Sequence, residues 1–428
     1  MSHRRGRGQR ALLVLTIVFS IVTIQSRAIS PVALAESAKA KRPFRMLVLG
    51  DSVMWGQGLE DEHKFSFKIK EWICAQRNGG VCQNKDDVQI HVEAHSGAFI
   101  AQPAKDDQKE QEERFTRIKS PERYPGEVPS RYPTIWGEVD LAQRYYVDNS
   151  IPASEVDLIL VNGGINDMGA SRILAPKPIE FLAGDVTKFA KKHCEADMKL
   201  LLEKLARTFP NARIVVPGYF PLVSVSTPEK IVWETIELLF RDKKEKTDDQ
   251  VAIEEAPAKS PEAVAAVPKL SGWLKDLAER SQQWADSSNN AFAAAVKSFN
   301  STHPGLHVFG SKVPSPPPEA SLRALFVAVP FQDDNAYAAK DAYLWKLIPK
   351  PADLVLKCAE KDRFKRLISS DELQTKRPCM CDRVGKGNDA ACLRAAAFHP
   401  NVAGADLYFR SISKELERIL PFTGWVAK

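Results

Sequence analysis

Short runs of apolar residues alternate along the chain with longer stretches in which apolar residues recur every three or four positions. The runs predict strands and the stretches predict amphipathic helices. Strands are predicted at 46–49, 88–94, 156–161, 212–217 and 306–309, with a further apolar run at 324–329, and helices at about 63–76, 101–119, 186–208, 273–299 and 402–420. Because strands that alternate with helices form parallel sheets, we expect three α/β/α layers around a central, mostly parallel five-stranded sheet.

Two insertions interrupt this pattern. The first, at about 101–135, is polar and rich in proline, and the second, at about 241–269, mixes charged residues with alanine and proline. Such compositions bury little apolar surface. The aromatic residues from Tyr124 to Trp136, together with Trp55, suit either acyl chains or sugar rings at the lip of a cleft, and a loop wrapped on the surface fits equally well. We expect one domain from residue 36 to 428.

The amino terminus has the pattern of a secretory signal peptide. Basic residues at 4–10 precede an apolar run at 11–24, and the small-x-small sequence at 33–35 suits cleavage after Ala35. The apolar run is shorter than the roughly 20 residues of a comfortable membrane span. The alternative is an uncleaved anchor. We expect residues 1–35 to be removed, leaving a secreted or periplasmic protein without a stable membrane span.

The formal charge of +6 comes mostly from this amino-terminal segment. Five basic residues and no acidic residue lie in 1–35, so that the rest of the chain carries a charge of +1. A nearly neutral chain has no electrostatic footprint for nucleic acid. The sequence gives no indication of the oligomeric state.

The seven cysteines fit an oxidising compartment. Cys74 and Cys82 can close a small loop, and the carboxyl-terminal cysteines at 358, 379, 381 and 392 can form two bridges, which would leave Cys194 over. Their pairing does not follow from sequence. A metal site at 379–381 is disfavoured because zinc-binding cysteine pairs are spaced more widely, and we expect no metal or cofactor.

The candidate chemistry lies where a parallel sheet gathers its loops. Ser52 follows the first strand, Gly97 the second and Asn166 the third, while His399 precedes the last helix. Acyl transfer requires a nucleophile, an adjacent base and donors for the developing oxyanion. Ser52 can supply the hydroxyl and His399 the base. The donors would be the backbone N–H groups of Ser52 and Gly97 and the side-chain amide of Asn166.

These residues and their surroundings resemble the SGNH (GDSL) hydrolase family. The family's blocks match Gly50-Asp51-Ser52, the glycine of 95–98, Gly164-Ile165-Asn166-Asp167 and the histidine of 398–401, in that order. The resemblance covers about residues 45 to 420 apart from the insertions. It implies a flavodoxin-like α/β/α fold and hydrolysis of esters through an acyl-enzyme on Ser52, without a cofactor.

One position departs from the family pattern. The family usually has an aspartate three residues before the histidine, where this chain has Ala396. Such a carboxylate would hold the imidazole tautomer. We expect a backbone carbonyl at or near Ala396 to take this role. The alternatives are an acid from elsewhere, Asp389 or Asp333, or a weak or inactive site.

The sequence therefore predicts a secreted serine esterase or lipase that acts on a small-molecule or glycan ester. One alternative is a binding protein that keeps the scaffold without turnover, and Ala396 is the feature that favours it. The other is an acyltransferase or deacetylase that acts on an envelope glycan with the same residues. The sequence does not distinguish between lipid esters and acetylated sugars.

Overall fold

The computed structural model describes residues 42–100, 126–130, 132–174, 185–241, 272–303, 322–346, 372–373, 376–383, 392 and 395–420. Several sequence-based predictions lie outside these residues: the signal peptide, the helix at 101–119, most of both insertions, the strand at 306–309 and Asp389.

Five parallel strands form the central sheet. They are β1 (Phe44–Leu49), β2 (Val88–Val92), β3 (Leu158–Val161), β4 (Arg213–Pro217) and β5 (Ala324–Val327). Their order is β2-β1-β3-β4-β5, and every neighbouring pair is parallel. This is the flavodoxin-like order, in which ligands bind beyond the carboxyl ends of the strands beside β1 and β3. The predicted sheet is confirmed, and its fifth strand comes from the apolar run at 324–329.

Helices of at least one turn connect the strands. They are α1 (Ser52–Trp55), α2 (Phe65–Arg77), α3 (Ile135–Asp148), α4 (Ile165–Met168), α5 (Ala170–Ile173), α6 (Val186–Ala190), a π-helical stretch (Lys191–Asp197), α7 (Met198–Thr208), α8 (Glu229–Arg241), α9 (Trp273–Thr302), α10 (Arg377–Arg383) and α11 (Val402–Ile419). The predicted helices within the described residues are present. The sequence did not predict α3, α8 and α10, nor the four-residue helices α1, α4 and α5.

The direction of each crossover places the helices in two layers. From β1 the chain passes through α2 to β2 on one side, whereas the later crossovers through α3, α7 and α9 run toward β5. Because parallel crossovers are right-handed, the two directions place their helices on opposite faces of the sheet. Accordingly, α2 packs against α11, and α9 packs against α6 and α7. The three-layer prediction is confirmed.

The strands are apolar because both faces of the sheet are covered. All four residues of β3 and all five of β4 are buried, as are five of the six residues of β1. Continuous apolar runs are the pattern expected for such strands. Polar side chains cap several helices: Thr134 accepts from the Gly137 N–H at the start of α3, and Asn401 accepts from the Gly404 N–H at the start of α11.

The described residues all fall within one compact unit, delimited as Arg42–Ala427. In the part of the chain that the structure describes, no helix has the length and apolar character to cross a membrane. Two disulfides are present, Cys74–Cys82 at the end of α2 and Cys381–Cys392 beside α10. Cys194 is a buried thiol, and burial raises its pKa.

Candidate active site

Ser52 lies at the carboxyl end of β1, on a sharp turn into α1. Gly50 has a φ of 129°, and a Cβ atom at this position would lie 2.5 Å from the carbonyl oxygen of Asn162. Asp51 then caps the helix by accepting from the Val53 N–H at 2.9 Å. The side chain of Ser52 is largely buried at the edge of the sheet where ligands bind in this fold.

The histidine predicted to act with Ser52 lies beside it. The Nε2 atom of His399 is 2.6 Å from Ser52 Oγ, although 347 residues separate the two in sequence. A general base must lie within about 2.6–3.2 Å of the atom whose proton it removes. The geometry therefore allows His399 to take the proton of the Ser52 hydroxyl.

The other ring nitrogen of His399 faces the backbone carbonyl of Ala397. Its Nδ1 atom lies 3.1 Å from that carbonyl oxygen. The Ala396 carbonyl accepts from the backbone N–H of His399 at 3.0 Å. The hydrogen-bond acceptor for the ring is thus the carbonyl one residue after Ala396.

A carbonyl oxygen can only accept, so Nδ1 must carry the proton and Nε2 is left to receive one from Ser52. Among the described residues, no carboxylate is hydrogen-bonded to the ring of His399, so Asp333 does not replace the missing aspartate.

The protein environment keeps His399 neutral. The pKa of His399 is lowered to about 4, mainly by desolvation; the backbone carbonyls of Ala397 and Ala396 act in the opposite direction, and the positive charge of Arg377 also contributes to the lowering. A neutral imidazole is the form that can accept a proton.

Backbone pairing holds the turn that carries His399. The Trp345 N–H donates to the His399 carbonyl at 2.8 Å, and the Phe398 N–H donates to the Trp345 carbonyl at 3.2 Å. Phe398 has a φ of 67°, a conformation that is rare for a bulky side chain. Its ring stacks on Tyr337 with centroids 4.1 Å apart. The backbone around His399 is therefore held by its pairing with Trp345 and by the stack of Phe398 on Tyr337.

Gly97 lies in a tight turn after β2. Its φ is 88°, and an added Cβ atom would lie 2.6 Å from the carbonyl oxygen of Ser130. A side chain would therefore be strained and would also clash. Within the described residues, the N–H groups of Ser52 and Gly97 have no hydrogen-bond acceptor. Both donors are available to a developing oxyanion.

The loop after β3 is joined to the Gly97 turn by two hydrogen bonds. The Asn166 side-chain amide donates to the Ala98 carbonyl at 2.9 Å, and Asp167 accepts from the Ile100 N–H at 2.9 Å. The first bond uses one of the two amide protons of Asn166 and orients the other. Asn166 and Asp167 both belong to the motif identified in the sequence, and the structure places Asn166 next to the turn that carries Gly97.

Asp51 organises the loops and is not placed as a catalytic acid. Its Oδ2 atom accepts from the Tyr219 hydroxyl at 2.5 Å, and that hydroxyl accepts from the Ile165 N–H at 3.3 Å. Asp51 follows β1, Tyr219 follows β4 and Ile165 follows β3, so that these hydrogen bonds join three loops. Burial raises the pKa of Asp51 to about 6, against the hydrogen bonds from Tyr219 and Val53, which lower it.

Two buried carboxylates beside the site, Glu138 and Glu127, could not be predicted from the sequence. Glu138, on α3, accepts from the Gly50 N–H at 2.7 Å and lies 3.6 Å from His95 Nε2. Glu127, in the proline-rich segment, is bonded to Trp55 at the end of α1 and to Gly58 just after it. Their partners are distant in sequence, so spacing could not reveal them.

The tryptophans expected to line a cleft are half-buried against the core. The ring of Trp55 lies 3.7 Å below Lys64 Nζ, and the backbone of Gly126 lies against the same ring. Lys204 Nζ lies 4.6 Å from the ring centroid of Trp136. Each ring is therefore held by contacts within the protein, and part of it is exposed. Tyr124 lies outside the described residues.

A scan against protein-family models found no match, and a search of curated proteins found none either. Solved structures do resemble the chain. An extracellular lipase from Streptomyces rimosus is 11% identical with a TM-score of 0.40, and the alignment covers 87% of this chain and 99% of the lipase.

Two other structures have comparable likeness. A family two carbohydrate esterase from Clostridium thermocellum, in complex with cellohexaose, is 12% identical with a TM-score of 0.34, and 89% of this chain and 65% of the esterase are covered. A protein described as a GDSL-like lipase from Parabacteroides merdae is 11% identical with a TM-score of 0.29, and 89% of this chain and 99% of that chain are covered. These three solved structures are two lipases, one of them described as GDSL-like, and a carbohydrate esterase.

Proposed function

We propose that this chain is a serine ester hydrolase of the SGNH type. Ser52 attacks the ester carbonyl while His399 takes the hydroxyl proton at Nε2. The resulting oxyanion is stabilised by the N–H groups of Ser52 and Gly97 and by the free amide proton of Asn166. His399 then protonates the leaving alcohol, which departs and leaves an acyl group on Ser52. A water molecule, activated by His399, releases the acid and restores the serine.

The observation that carries the proposal is the pair of contacts made by His399. Its Nε2 atom lies 2.6 Å from Ser52 Oγ, and its Nδ1 atom lies 3.1 Å from the Ala397 carbonyl. One contact delivers the base to the nucleophile, and the other selects the tautomer that can act as a base. A serine that only capped a helix would not require either contact.

Among the residues that the structure describes, no carboxylate takes the place of the usual third member, and this affects the rate and not the type of reaction. A carboxylate stabilises the imidazolium that forms during attack, whereas a carbonyl offers only its dipole. Removal of single members of such sites leaves substantial catalysis by the oxyanion donors and by substrate binding. We therefore expect turnover that is slower than in an enzyme with the complete triad.

We infer that the protein works outside the cytoplasm. Its first 35 residues have the pattern of a signal peptide with cleavage after Ala35. Two disulfides support the inference, because such bonds persist in oxidising compartments. The proposed substrate is an ester of a small molecule or of a glycan.

The test compares Ser52→Ala with a surface control, Ser301→Ala, on short p-nitrophenyl esters and acetylated sugars. Ser301 lies in the last turn of α9 and is exposed. We expect Ser52→Ala to lose roughly 10⁴-fold or more in kcat, without loss of folded structure, and Ser301→Ala to keep the wild-type value. Wild-type activity in Ser52→Ala would exclude Ser52 as the nucleophile, and an inactive wild type would leave the binding-protein alternative.

A further inference from the structure

Glu127 is a buried carboxylate that gathers donors from the residues just after Ser52. It is 1% exposed. Its oxygens accept from the Trp55 indole N–H at 2.9 Å, the Gln57 side-chain amide at 3.0 Å and the backbone N–H of Gly58 at 3.0 Å. All three donors lie within six residues of the proposed nucleophile. A buried carboxylate is stable only with such partners.

The short segment Gly126–Ser130, here called the Glu127 segment, is also bonded to the turn that carries Gly97. The Ser96 N–H donates to the Gly126 carbonyl at 2.8 Å, and the Ser130 N–H donates to the Ser96 carbonyl at 2.9 Å. The Ser130 backbone is also what a side chain at Gly97 would strike. The Glu127 segment therefore contacts both the turn after the nucleophile and one proposed oxyanion donor.

A third part of the chain supplies the counter-charge. Arg377, at the start of α10, lies 2.5 Å from Glu127 Oε1, and its side chain is fully buried. The Cys381–Cys392 disulfide packs against Val128, the next residue of the Glu127 segment. Arg377 also lies near enough to His399 for its charge to lower the pKa of the imidazole. The ion pair thus joins the carboxyl-terminal part of the chain to the site.

We propose that Glu127, with Arg377 as its counter-ion, is a positioning residue that keeps Ser52 and the Gly97 N–H in one fixed arrangement. The proposal deepens the esterase function above and rests on it. Glu127 does not touch the reacting atoms. Its carboxylate holds the 55–58 turn, and the backbone of its neighbours Gly126 and Ser130 holds the Gly97 turn through Ser96. A displacement of about 1 Å in such groups can reduce a rate 100-fold.

A purely structural ion pair would behave differently. It would contribute to stability, but its loss would not change the reaction of the remaining folded protein. The chain offers a matched control at the other end of the sheet, where Asp157 lies 2.5 Å from Arg42 and accepts from the Arg45 N–H at 2.9 Å. Asp157 precedes β3 at its amino end, away from the edge that carries Ser52.

The experiment compares Glu127→Gln with Asp157→Asn in the full chain. In Glu127→Gln, an amide NH₂ group replaces one carboxylate oxygen and faces N–H donors that now lack an acceptor. We therefore expect kcat for a p-nitrophenyl ester to fall about 10- to 100-fold, with KM changed less than about threefold. Asp157→Asn should keep the wild-type kcat. Hydrogen exchange followed by mass spectrometry should show faster exchange in peptides covering 52–58 and 95–99 in Glu127→Gln only.

If Glu127→Gln fails to fold, Gln57→Met provides a milder version of the test. It removes the amide that donates to the Glu127 carboxylate at 3.0 Å and to the Glu127 backbone carbonyl at 2.7 Å, without changing charge, and we expect a smaller fall in kcat with faster exchange at 52–58. A wild-type kcat together with wild-type exchange in these variants would overturn the proposal. An inactive wild type would refute the esterase function instead, and the exchange measurement would still decide whether Glu127 positions the two turns.

Discussion

The Nδ1 atom of His399 lies 3.1 Å from the carbonyl oxygen of Ala397, in the place where a triad would present a carboxylate. The carbonyl fixes the same tautomer as a carboxylate does, but it adds no negative charge beside the ring. An imidazole without a neighbouring carboxylate gains protons less readily. The pKa of His399, lowered to about 4, agrees with this environment.

The pH dependence of the proposed reaction follows from that pKa. Since His399 must be neutral to act as a base, we expect kcat/KM to fall only as the pH drops through about 4, and not near 6.5 as for an unperturbed histidine. The measurement is a pH profile with an ester that is stable to acid.

Asp51 is the group whose titration can complicate the profile. Burial raises its pKa to about 6, so any second inflection near that pH should vanish in Asp51→Asn, whereas the limb near 4 should persist. A single limb near 6.5 in both proteins would contradict the expected environment of His399.

Substitution of Gly97 tests whether its N–H group acts as an oxyanion donor. Gly97→Ala would force a side chain into a positive φ and to within 2.6 Å of the Ser130 carbonyl oxygen. We expect the clash to displace the Gly97 N–H and to lower kcat by about 10²–10³-fold, the effect of losing one oxyanion donor. The measurements are ester kinetics and thermal unfolding.

Gly79 provides the control for this substitution. Its φ is 73°, but no atom lies within 4 Å of the position of an added Cβ. Gly79→Ala should therefore show only the cost of the left-handed conformation, roughly 1–2 kcal/mol in the free energy of unfolding, with full activity. Equal activities for the two variants would exclude Gly97 as a donor.

Because Phe398 has a positive φ, we expect glycine to be more stable than alanine at this position, the reverse of the usual order. Both Phe398→Ala and Phe398→Gly lose the stack on Tyr337 and the burial of the ring, at a cost of about 3–5 kcal/mol in the free energy of unfolding. Glycine is usually less stable than alanine, but a φ of 67° favours glycine. We therefore expect Phe398→Gly to be the more stable variant by about 1 kcal/mol. Denaturant titration measures the difference, and a more stable Phe398→Ala would mean that the turn relaxes without the ring.

The positions of Ser52, Gly97 and Asn166 could be predicted because each follows an apolar run, and the carboxyl ends of parallel strands meet at one edge. The sequence predicted a carbonyl acceptor near Ala396 for His399 but did not single out the carbonyl of Ala397. Phe398, between Ala397 and His399, has a positive φ, and a phenylalanine in the sequence does not indicate that conformation.

Glu127 was missed for a different reason. Its donors come from residues 55–58 and from Arg377, which is 250 residues away in sequence. A carboxylate in a polar, proline-rich segment is usually solvated, and only its three-dimensional partners distinguish it. The partners of Trp55 could not be predicted either: an aromatic residue beside a candidate nucleophile suggested a binding surface, and its half-buried ring contacts Lys64 and Gly126.

The two disulfides should differ in their effect on activity although their effects on stability are similar. Cys74–Cys82 spans 8 residues and Cys381–Cys392 spans 11, so the loss of either should cost a similar amount, roughly 2–3 kcal/mol. The first lies at the end of α2, where that helix returns toward the start of β2. The second packs on Val128 in the Glu127 segment.

We therefore expect the double substitution Cys381→Ala and Cys392→Ala to lower kcat as well as the melting temperature, because it removes the packing of the disulfide on Val128, next to Glu127. The double substitution Cys74→Ala and Cys82→Ala should lower the melting temperature only. Each protein is assayed for ester hydrolysis well below its melting temperature, so that only folded molecules contribute. A fall in kcat of the same size in both would mean that the activity follows global stability, whereas a fall confined to the 381–392 variant would tie it to the contacts of the Glu127 segment.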